Sequence, residues 1–186
     1  MTEPRSEPSE PRPEDREPRP EDREPRPELA AAPGGAVAEQ PGTAPWEVRP
    51  VRDPRELQAA VALRHEVFCV EQGVPAHEEL DGHDAQGLHL VAVREGEVLA
   101  TCRLLFVGPT VQFSRLAVRR SERRRGIATA LLREADERAR AGGARRIVLH
   151  AQTYARALYE AAGYRARGRA FVEAGIEHIA MEKVLD

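Results

Sequence analysis

An apolar strand, a glycine and an amphipathic helix follow one another in this chain, and this succession constrains the fold more than any other feature. Residues 111–118 are mostly apolar, β-branched or aromatic, and residues 116–118 close the run as a largely buried strand does. Gly126 comes after an arginine-rich stretch, and from Ile127 to residue 141 apolar residues recur at helical spacing. The sequence therefore predicts a strand, a loop and a helix at the centre of an α/β domain.

The predicted start of this helix is suited to binding phosphate. The first backbone N–H groups of a helix have no partner within the helix, and the helix dipole adds partial positive charge there. Gly126 would let a phosphate approach the backbone closely. Neither G-x-x-x-x-G-K-[ST] nor G-x-G-x-x-G occurs in the chain. The surrounding positive charge exceeds what a single phosphate needs and favours a pyrophosphate with a further phosphate nearby. It comes from Arg119, Arg120, Arg123, Arg124 and Arg125.

Residues 123–128 read R-R-R-G-I-A, which resembles the acetyl-CoA-binding motif Q/R-x-x-G-x-G/A of the GNAT superfamily of N-acetyltransferases. The predicted order of elements, β-α-loop-β-β-β-α-β-α-β-β, extends the resemblance from Trp46 to Leu185. It implies an α/β (α+β) fold with a mixed, largely antiparallel sheet and helices on both faces. Two central strands, ending at Val118 and near His150, should splay apart to admit the pantetheine arm of acetyl-CoA.

Shorter segments resemble the ElaA-like group within this superfamily. They are V-F-C-V-E-Q at residues 67–72, D-G-H-D at 81–84, A-Q at 151–152 and G-I-E-H-I-A-M at 175–181. The resemblance implies an acetyl-CoA-dependent N-acetyltransferase that acts by direct attack of an amine. We expect the central strand's backbone and the first turn of the helix to hold the cofactor, through Leu116, Ala117, Val118, Arg123, Arg124, Arg125, Gly126, Ile127, Ala128 and Thr129.

Tyr159 lies in L-Y-E-A-A-G-Y, which resembles a family segment whose tyrosine protonates the leaving thiolate. The resemblance implies that Tyr159 is the general acid, whereas an ordinary core tyrosine would bond its hydroxyl to the backbone. The general base is less clear, because Gln112 stands where several GNAT enzymes carry a glutamate. His178 matches the group's late histidine and is the first candidate. The others are His150, His89, Glu71, Asp81 and a chain of water molecules, and a further alternative is that the amine arrives neutral.

An acidic segment, residues 76–84, follows the first helix, and the resemblance to GNAT proteins implies that it borders the acceptor side of the site. Carboxylates there suit a cationic amine, and we expect Glu71, Asp81 and Asp84 to contact the acceptor, a small molecule or a peptide. A solvated loop without a binding role is the alternative. The histidine and carboxylate spacing in this segment matches no metal motif, so we expect no metal. An acyl-CoA-binding module without turnover, such as a sensor, is the second functional class that the sequence leaves open.

The first 45 residues differ in composition from the rest of the chain. The heptapeptide E-P-R-P-E-D-R occurs twice, at residues 10–16 and 17–23, and six arginines face eleven carboxylates in this stretch. Such a segment has too few apolar side chains to offset its ordering entropy. We therefore expect a disordered tail over residues 1–45 and one folded domain over residues 46–186.

The overall charge and the apolar runs bear on partners and location. The formal net charge of −3 does not suggest a nucleic-acid-binding protein. No apolar run is long enough to span a bilayer, and the two cysteines have no metal-like or disulfide-like spacing. We expect a soluble, cytoplasmic protein, as a monomer or a homodimer, without a nucleic-acid or membrane partner.

Overall fold

A computed structural model describes residues 45–186, so almost all of the predicted tail lies outside the described residues. The described part alternates strands and helices in the order that the sequence predicts. The strands are β1 (Glu47–Pro50), β2 (Leu88–Arg94), β3 (Glu97–Val107), β4 (Thr110–Val118), β5 (Arg146–Gln152), β6 (Arg165–Glu173) and β7 (Ile176–Val184). The α-helices are α1 (Pro54–Arg64), α2 (Ala76–Glu79), α3 (Ile127–Ala141) and α4 (Arg156–Ala161).

Helix α1 begins at the signals that the sequence carries. The Asp53 carboxylate accepts hydrogen bonds from the N–H groups of Arg55, at 2.8 Å, and Glu56, at 2.9 Å. Glu56 in turn accepts from the N–H of Arg52, at 2.8 Å, one residue before the cap. At its other end α1 continues without a break into a π-helix, His65–Glu71. The π-helix is rare in proteins, and the π-helical turns that do occur often lie at functional sites.

The seven strands form one sheet in the order β1-β2-β3-β4-β5-β7-β6. All neighbours are antiparallel except β4 and β5, which are parallel and pair only from Thr110–Arg146 to Gln112–Val148. Beyond this short contact, residues 113–118 of β4 and 149–152 of β5 are not paired with each other. The prediction of a mixed, largely antiparallel sheet with splayed central strands is therefore confirmed. We call the opening between these two segments the splay.

Helices cover both faces of the sheet, as predicted. Helix α3 buries Leu131, Leu132 and Ala135 in the larger apolar cluster, which also contains Val118. Helix α1 covers the opposite face, where Ala60 and Leu63 pack in a smaller cluster with Ala117. Consecutive residues of β4 thus enter different clusters, as the alternation of a strand requires. None of the helices within residues 45–186 is both long and apolar enough to cross a membrane.

Candidate active site

A β-bulge in β4 shapes one wall of the splay. Thr101 pairs with Ala117 but Arg103 pairs with Ser114, so two residues of β4 oppose Cys102 alone. Arg115, one of the two, has φ of 59°, in the left-handed region that glycine usually occupies. The bulge shifts which backbone groups of β4 face β3 and which face the splay.

Only part of the predicted backbone site is directed into the splay. The Arg119 N–H donates to the Leu99 carbonyl at 2.8 Å. Hydrogen-bonded and non-bonded pairs alternate along an antiparallel ladder, so Ala117 is turned toward β3 and Val118 toward the splay. Leu116 and Val118 line the cavity described below, whereas Ala117 does not. The predicted role of Ala117 is therefore corrected, because its N–H and C=O groups belong to the ladder with β3.

The loop before α3 has the form of an anion site. Gly126 precedes the helix with φ of 81°, and no side chain of the described residues caps the N–H groups of residues 127–129. A Cβ at Gly126 would meet no atom within 4 Å, so backbone conformation rather than space favours glycine here. The buried Glu122 anchors the loop by accepting from Arg94 at 2.7 and 3.2 Å. Arg124 and Arg125 are exposed at its rim.

Arg123 occupies a different position from its two neighbours. Its Nε donates to the Val118 carbonyl at 3.0 Å, and Nη2 donates to Glu71 Oε2 at 2.7 Å. Both charged side chains are largely buried, with exposed fractions of 13% for Arg123 and 15% for Glu71. Arg123 therefore joins the central strand to the π-helix, and links a predicted cofactor residue with a predicted acceptor residue.

A cavity of about 320 Å³ lies in the splay and extends toward the π-helix and the acidic segment. Several of the predicted site residues meet on its walls: Glu71, Asp81, Leu116, Val118, Arg123, Tyr159 and His178. Two predicted residues of other elements, Asp84 and His89, do not line it. The cavity brings together the candidates for proton transfer from α4 and β7 with the backbone of β4.

Tyr159 reaches the cavity from α4 and is only 7% exposed. Its ring meets Phe113 and Tyr164 edge to face, with centroids 6.4 and 5.9 Å apart. Burial raises the pKa of the Tyr159 hydroxyl well above its usual range, so the hydroxyl keeps its proton. No hydrogen bond within residues 45–186 involves this hydroxyl, and its oxygen is not completely enclosed by protein. The hydroxyl is therefore available to donate.

His178 presents its second ring nitrogen as an acceptor. Nδ1 lies 2.8 Å from the Ile176 carbonyl, which can only accept, so Nδ1 carries the proton. In the neutral ring Nε2 then has the lone pair, which is the form that a general base requires. The ring stacks on Phe171 with an interplanar angle of 25° and is 9% exposed. Packing and the carbonyl thus fix both the orientation and the tautomer.

The remaining base candidates have other partners. His89 is buried away from the cavity, with Nε2 2.9 Å from the Asp84 carbonyl. His150 lines the cavity but pairs with Glu173 at 2.9 Å, and both side chains are half exposed. The carboxylates of Glu71 and Asp81 are bonded to arginines. His178 has the arrangement best suited to accepting a proton.

A buried ion network holds the acidic segment against the sheet. Its centre is Arg103, 2% exposed, which bonds Asp81 at 2.7 and 2.5 Å and Asp84 at 2.8 Å. The hydrogen bond from Arg103 holds the pKa of the Asp81 carboxyl well below its usual range. Arg64 also bonds Asp84, at 2.8 Å. The predicted acceptor contact of Asp84 therefore does not match its position, because its carboxylate joins two arginines outside the cavity.

Other residues of this network had no signal in the sequence. The buried Glu79 accepts from Arg64 at 2.5 Å, and Arg115 donates to the Glu79 carbonyl at 2.9 Å and to Asp81 at 3.0 Å. These partners are far apart in the chain, so no local motif links them. Within residues 45–186, no group of three or more histidine, cysteine, aspartate and glutamate side chains could hold a metal ion.

Comparison with known proteins agrees with this arrangement of a central strand, a glycine-containing loop, a helix and a splay, which is that of an acyltransferase fold. The family model described as acetyltransferase (GNAT) domain matches residues 52–185. YjcF of Bacillus subtilis, named as an uncharacterized N-acetyltransferase, is 32% identical over 71% of this chain and 95% of its own. The chain therefore belongs to the GNAT acetyltransferase family and is an acyltransferase in the broad sense.

Solved structures show the same fold. An acyl-CoA N-acyltransferase from Pseudomonas aeruginosa has a TM-score of 0.66 and 32% identity, and the match covers 75% of this chain and 99% of that one. Escherichia coli ElaA also has a TM-score of 0.66, with 24% identity over 75% of this chain and 98% of its own. The resemblance to ElaA predicted from short segments is thus accompanied by a shared fold.

Proposed function

We propose that this protein transfers an acetyl group from acetyl-CoA to a primary amine by direct attack. The observation that carries the proposal is the pairing of a proton donor with a proton acceptor on one cavity. The Tyr159 hydroxyl is protonated and has no partner among the described residues, and His178 Nε2 keeps its lone pair. Acetyl transfer to an amine needs these two groups.

The proposed cofactor site combines the helix start and the strand. The N–H groups of residues 126–129 would receive the pyrophosphate, with Arg124 and Arg125 adding charge at the rim. The Val118 N–H is turned toward the splay, where a carbonyl of the pantetheine arm can accept from it as a carbonyl of an added strand would, and the Val118 carbonyl already accepts from Arg123. The family match and the open helix start support this assignment.

The proposed reaction transfers the acetyl group in one attack and leaves coenzyme A as a free thiol. His178 Nε2 takes a proton from the ammonium form of the acceptor, and the neutral amine nitrogen then attacks the thioester carbonyl carbon. After the attack the nitrogen releases a second proton to solvent. The carbon–sulfur bond then breaks, and the Tyr159 hydroxyl gives its proton to the departing sulfur. The products are the acetylated amine and coenzyme A. Free backbone N–H groups of β4 at the splay could stabilise the negative charge that develops on the carbonyl oxygen.

We further propose that the acceptor is a cationic amine of a small molecule or peptide. Glu71 and Asp81 line the cavity on the side of the π-helix and the acidic segment. Five carboxylate residues and three arginines line the cavity, and three of the carboxylates, Glu71, Glu79 and Asp81, are bonded to arginines. The carboxylates of Glu78 and Glu173 have no arginine partner among the described residues. This excess of carboxylates favours a cation over an anion.

A sensor that binds acyl-CoA without turnover is the second candidate function. The observation that favours it is Gln112, which lines the cavity where a carboxylate base stands in several relatives of this fold. One experiment separates the two functions: the protein is incubated with acetyl-CoA and a panel of amines while free thiol is followed. Amine-dependent thiol release supports the enzyme. Binding of acetyl-CoA with no release for any amine would support the sensor.

A further inference from the structure

The splay lacks the hydrogen bonds that normally keep neighbouring strands at a fixed distance. Pairing between β4 and β5 stops at Gln112 and Val148, and the rest of both strands extends toward Val118 and Gln152 without mutual ladder bonds. Adjacent strands in a ladder are about 4.8 Å apart because of these bonds. Some other contact must therefore set the width of the splay at its open end.

A chain of side-chain hydrogen bonds spans that open end. It begins on β4, where Arg123 bonds the Val118 carbonyl, and passes through Arg123 to Glu71 at the end of the π-helix. Gln72, the next residue, accepts from Gln152 Nε2 at 2.9 Å and so reaches the end of β5.

Tyr154 closes a small ring with the two glutamines. Its hydroxyl accepts from Gln72 Nε2 at 3.0 Å and donates to Gln152 Oε1. All the side chains that form this series of hydrogen bonds line the cavity. The ring satisfies the amide groups of both glutamines in one arrangement, so each side chain limits the rotation of the others. We call the path from Arg123 through residues 71–72 to Gln152 and Tyr154 the brace.

The π-helix makes the brace possible. Glu71 and Gln72 stand at its C-terminal end, and their side chains bond in opposite directions, toward β4 and toward β5. The π-helix itself packs on the sheet beside β4, where its Val67 lies in one apolar cluster with Ala117. One end of the brace is therefore anchored on the β4 side of the sheet, and the other end holds β5.

We propose that Gln72 and Gln152 are positioning residues that hold the splay at the width the pantetheine arm requires. This inference rests on the proposed function, because it assumes that the arm of acetyl-CoA lies between β4 and β5. A pre-set gap spares the cofactor the ordering cost of closing the strands around it. Loss of the brace should thus weaken the arm's contacts and leave the nucleotide end of the cofactor unaffected.

The test compares two probes on the full chain by calorimetry. Coenzyme A contains the pantetheine arm, whereas adenosine 3′,5′-bisphosphate lacks it. Gln72→Ala and Gln152→Ala should each raise the Kd for coenzyme A by about 2- to 10-fold, the effect of one partly buried neutral hydrogen bond. The Kd for adenosine 3′,5′-bisphosphate should stay unchanged. Because the two glutamines share a bond, the double variant should lose less than the product of the single losses.

Two matched variants control for side-chain truncation. Val70→Ala removes an exposed side chain from the same π-helix, and Gln86→Ala removes an exposed glutamine outside the cavity. Both should bind the two probes as the parent does. The proposal is overturned if the brace variants bind coenzyme A with the parent's Kd, or if the Kd values for both probes rise equally. It is also overturned if the rise in Kd of the double variant equals the product of the rises of the single variants. A parent that binds neither probe would overturn the proposed function as well, so the two failures are distinguishable.

Discussion

Replacing Tyr159 by phenylalanine is the most direct test of the proposed chemistry. The change keeps the ring and its edge-to-face contacts with Phe113 and Tyr164, and it removes only the hydroxyl. That hydroxyl has no hydrogen-bond partner among residues 45–186, so its loss leaves no partner unsatisfied. We therefore expect the free energy of unfolding to change by less than about 0.5 kcal/mol.

The expected effect on turnover is much larger. A positioned general acid contributes about 10²- to 10⁴-fold in rate, which corresponds to about 3–5 kcal/mol of transition-state stabilisation. Tyr159→Phe should lower kcat by this factor, measured by thiol release at saturating acetyl-CoA, while the Kd for coenzyme A stays near that of the parent. Since burial raises the hydroxyl pKa, the parent should keep this acid protonated up to at least about pH 10.

A neighbouring tyrosine provides the control. Tyr164 is buried and its hydroxyl has no partner among the described residues, but it does not line the cavity. Tyr164→Phe should leave kcat unchanged and preserve or slightly raise stability. The reasoning would be refuted if Tyr159→Phe kept its kcat and instead lowered the free energy of unfolding by about 1–3 kcal/mol. That pattern would identify a structural hydroxyl.

Three further changes test the phosphate loop, the base and the ion network. Gly126→Glu should abolish coenzyme A binding in calorimetry, because it strains a backbone with φ of 81° and adds negative charge at the anion site. His178→Ala should lower kcat about 10²-fold or more, while the Kd for coenzyme A stays near that of the parent. Asp81→Asn should lower the melting temperature near neutral pH. Because the folded-state pKa of Asp81 is lowered, its contribution is present above about pH 4 and shrinks as the pH falls further.

Each of these changes has an outcome that counts against its premise. Normal coenzyme A affinity in Gly126→Glu would show that this loop is not the anion site. Gly142→Glu, at the far end of α3, is not a suitable control, because Phe106 leaves no room for a side chain at that glycine. Arg133→Glu, on the same helix and away from the cavity lining, is the better comparison. A kcat near the parent value in His178→Ala would assign the role of general base to another group. A melting difference between parent and Asp81→Asn that stays constant from pH 6 to pH 3 would contradict the linkage argument.

The local parts of the fold could be read from the sequence because their causes are local. Asp53 followed by Pro54 predicted the start of α1, and Gly126, which has φ of 81°, marked the residue directly before α3. The order of strands followed from apolar runs and turns, and the resemblance to a known family supplied their arrangement. These predictions depend on residues within a few positions of one another.

The contacts that refine the site depend on residues far apart in the chain. No local pattern marks the bulge at Arg115, where an arginine takes a conformation typical of glycine, and this bulge decides that Val118 rather than Ala117 faces the splay. Asp81 and Asp84 look equivalent in sequence, yet only Asp81 lines the cavity. The position of Arg123 in the sequence, three residues before Gly126, predicts a phosphate ligand, but in the structure its side chain bonds Glu71 at the end of the π-helix. Tertiary packing, not local preference, selects among such residues.

The splay also bears on how this sheet avoids unwanted pairing. A strand edge with unpaired N–H and C=O groups invites association with another chain. The outer edges are protected in the usual ways, since β1 is four residues long and ends in Pro50 and β6 carries Arg165, Arg167 and Arg169. The free backbone groups of β4 and β5 instead lie inside the sheet, between helix-covered faces. A slender chain without side chains can reach these groups through the opening. A strand of a second protein carries side chains on both faces and does not fit there, so the unpaired backbone groups are protected from edge-to-edge association.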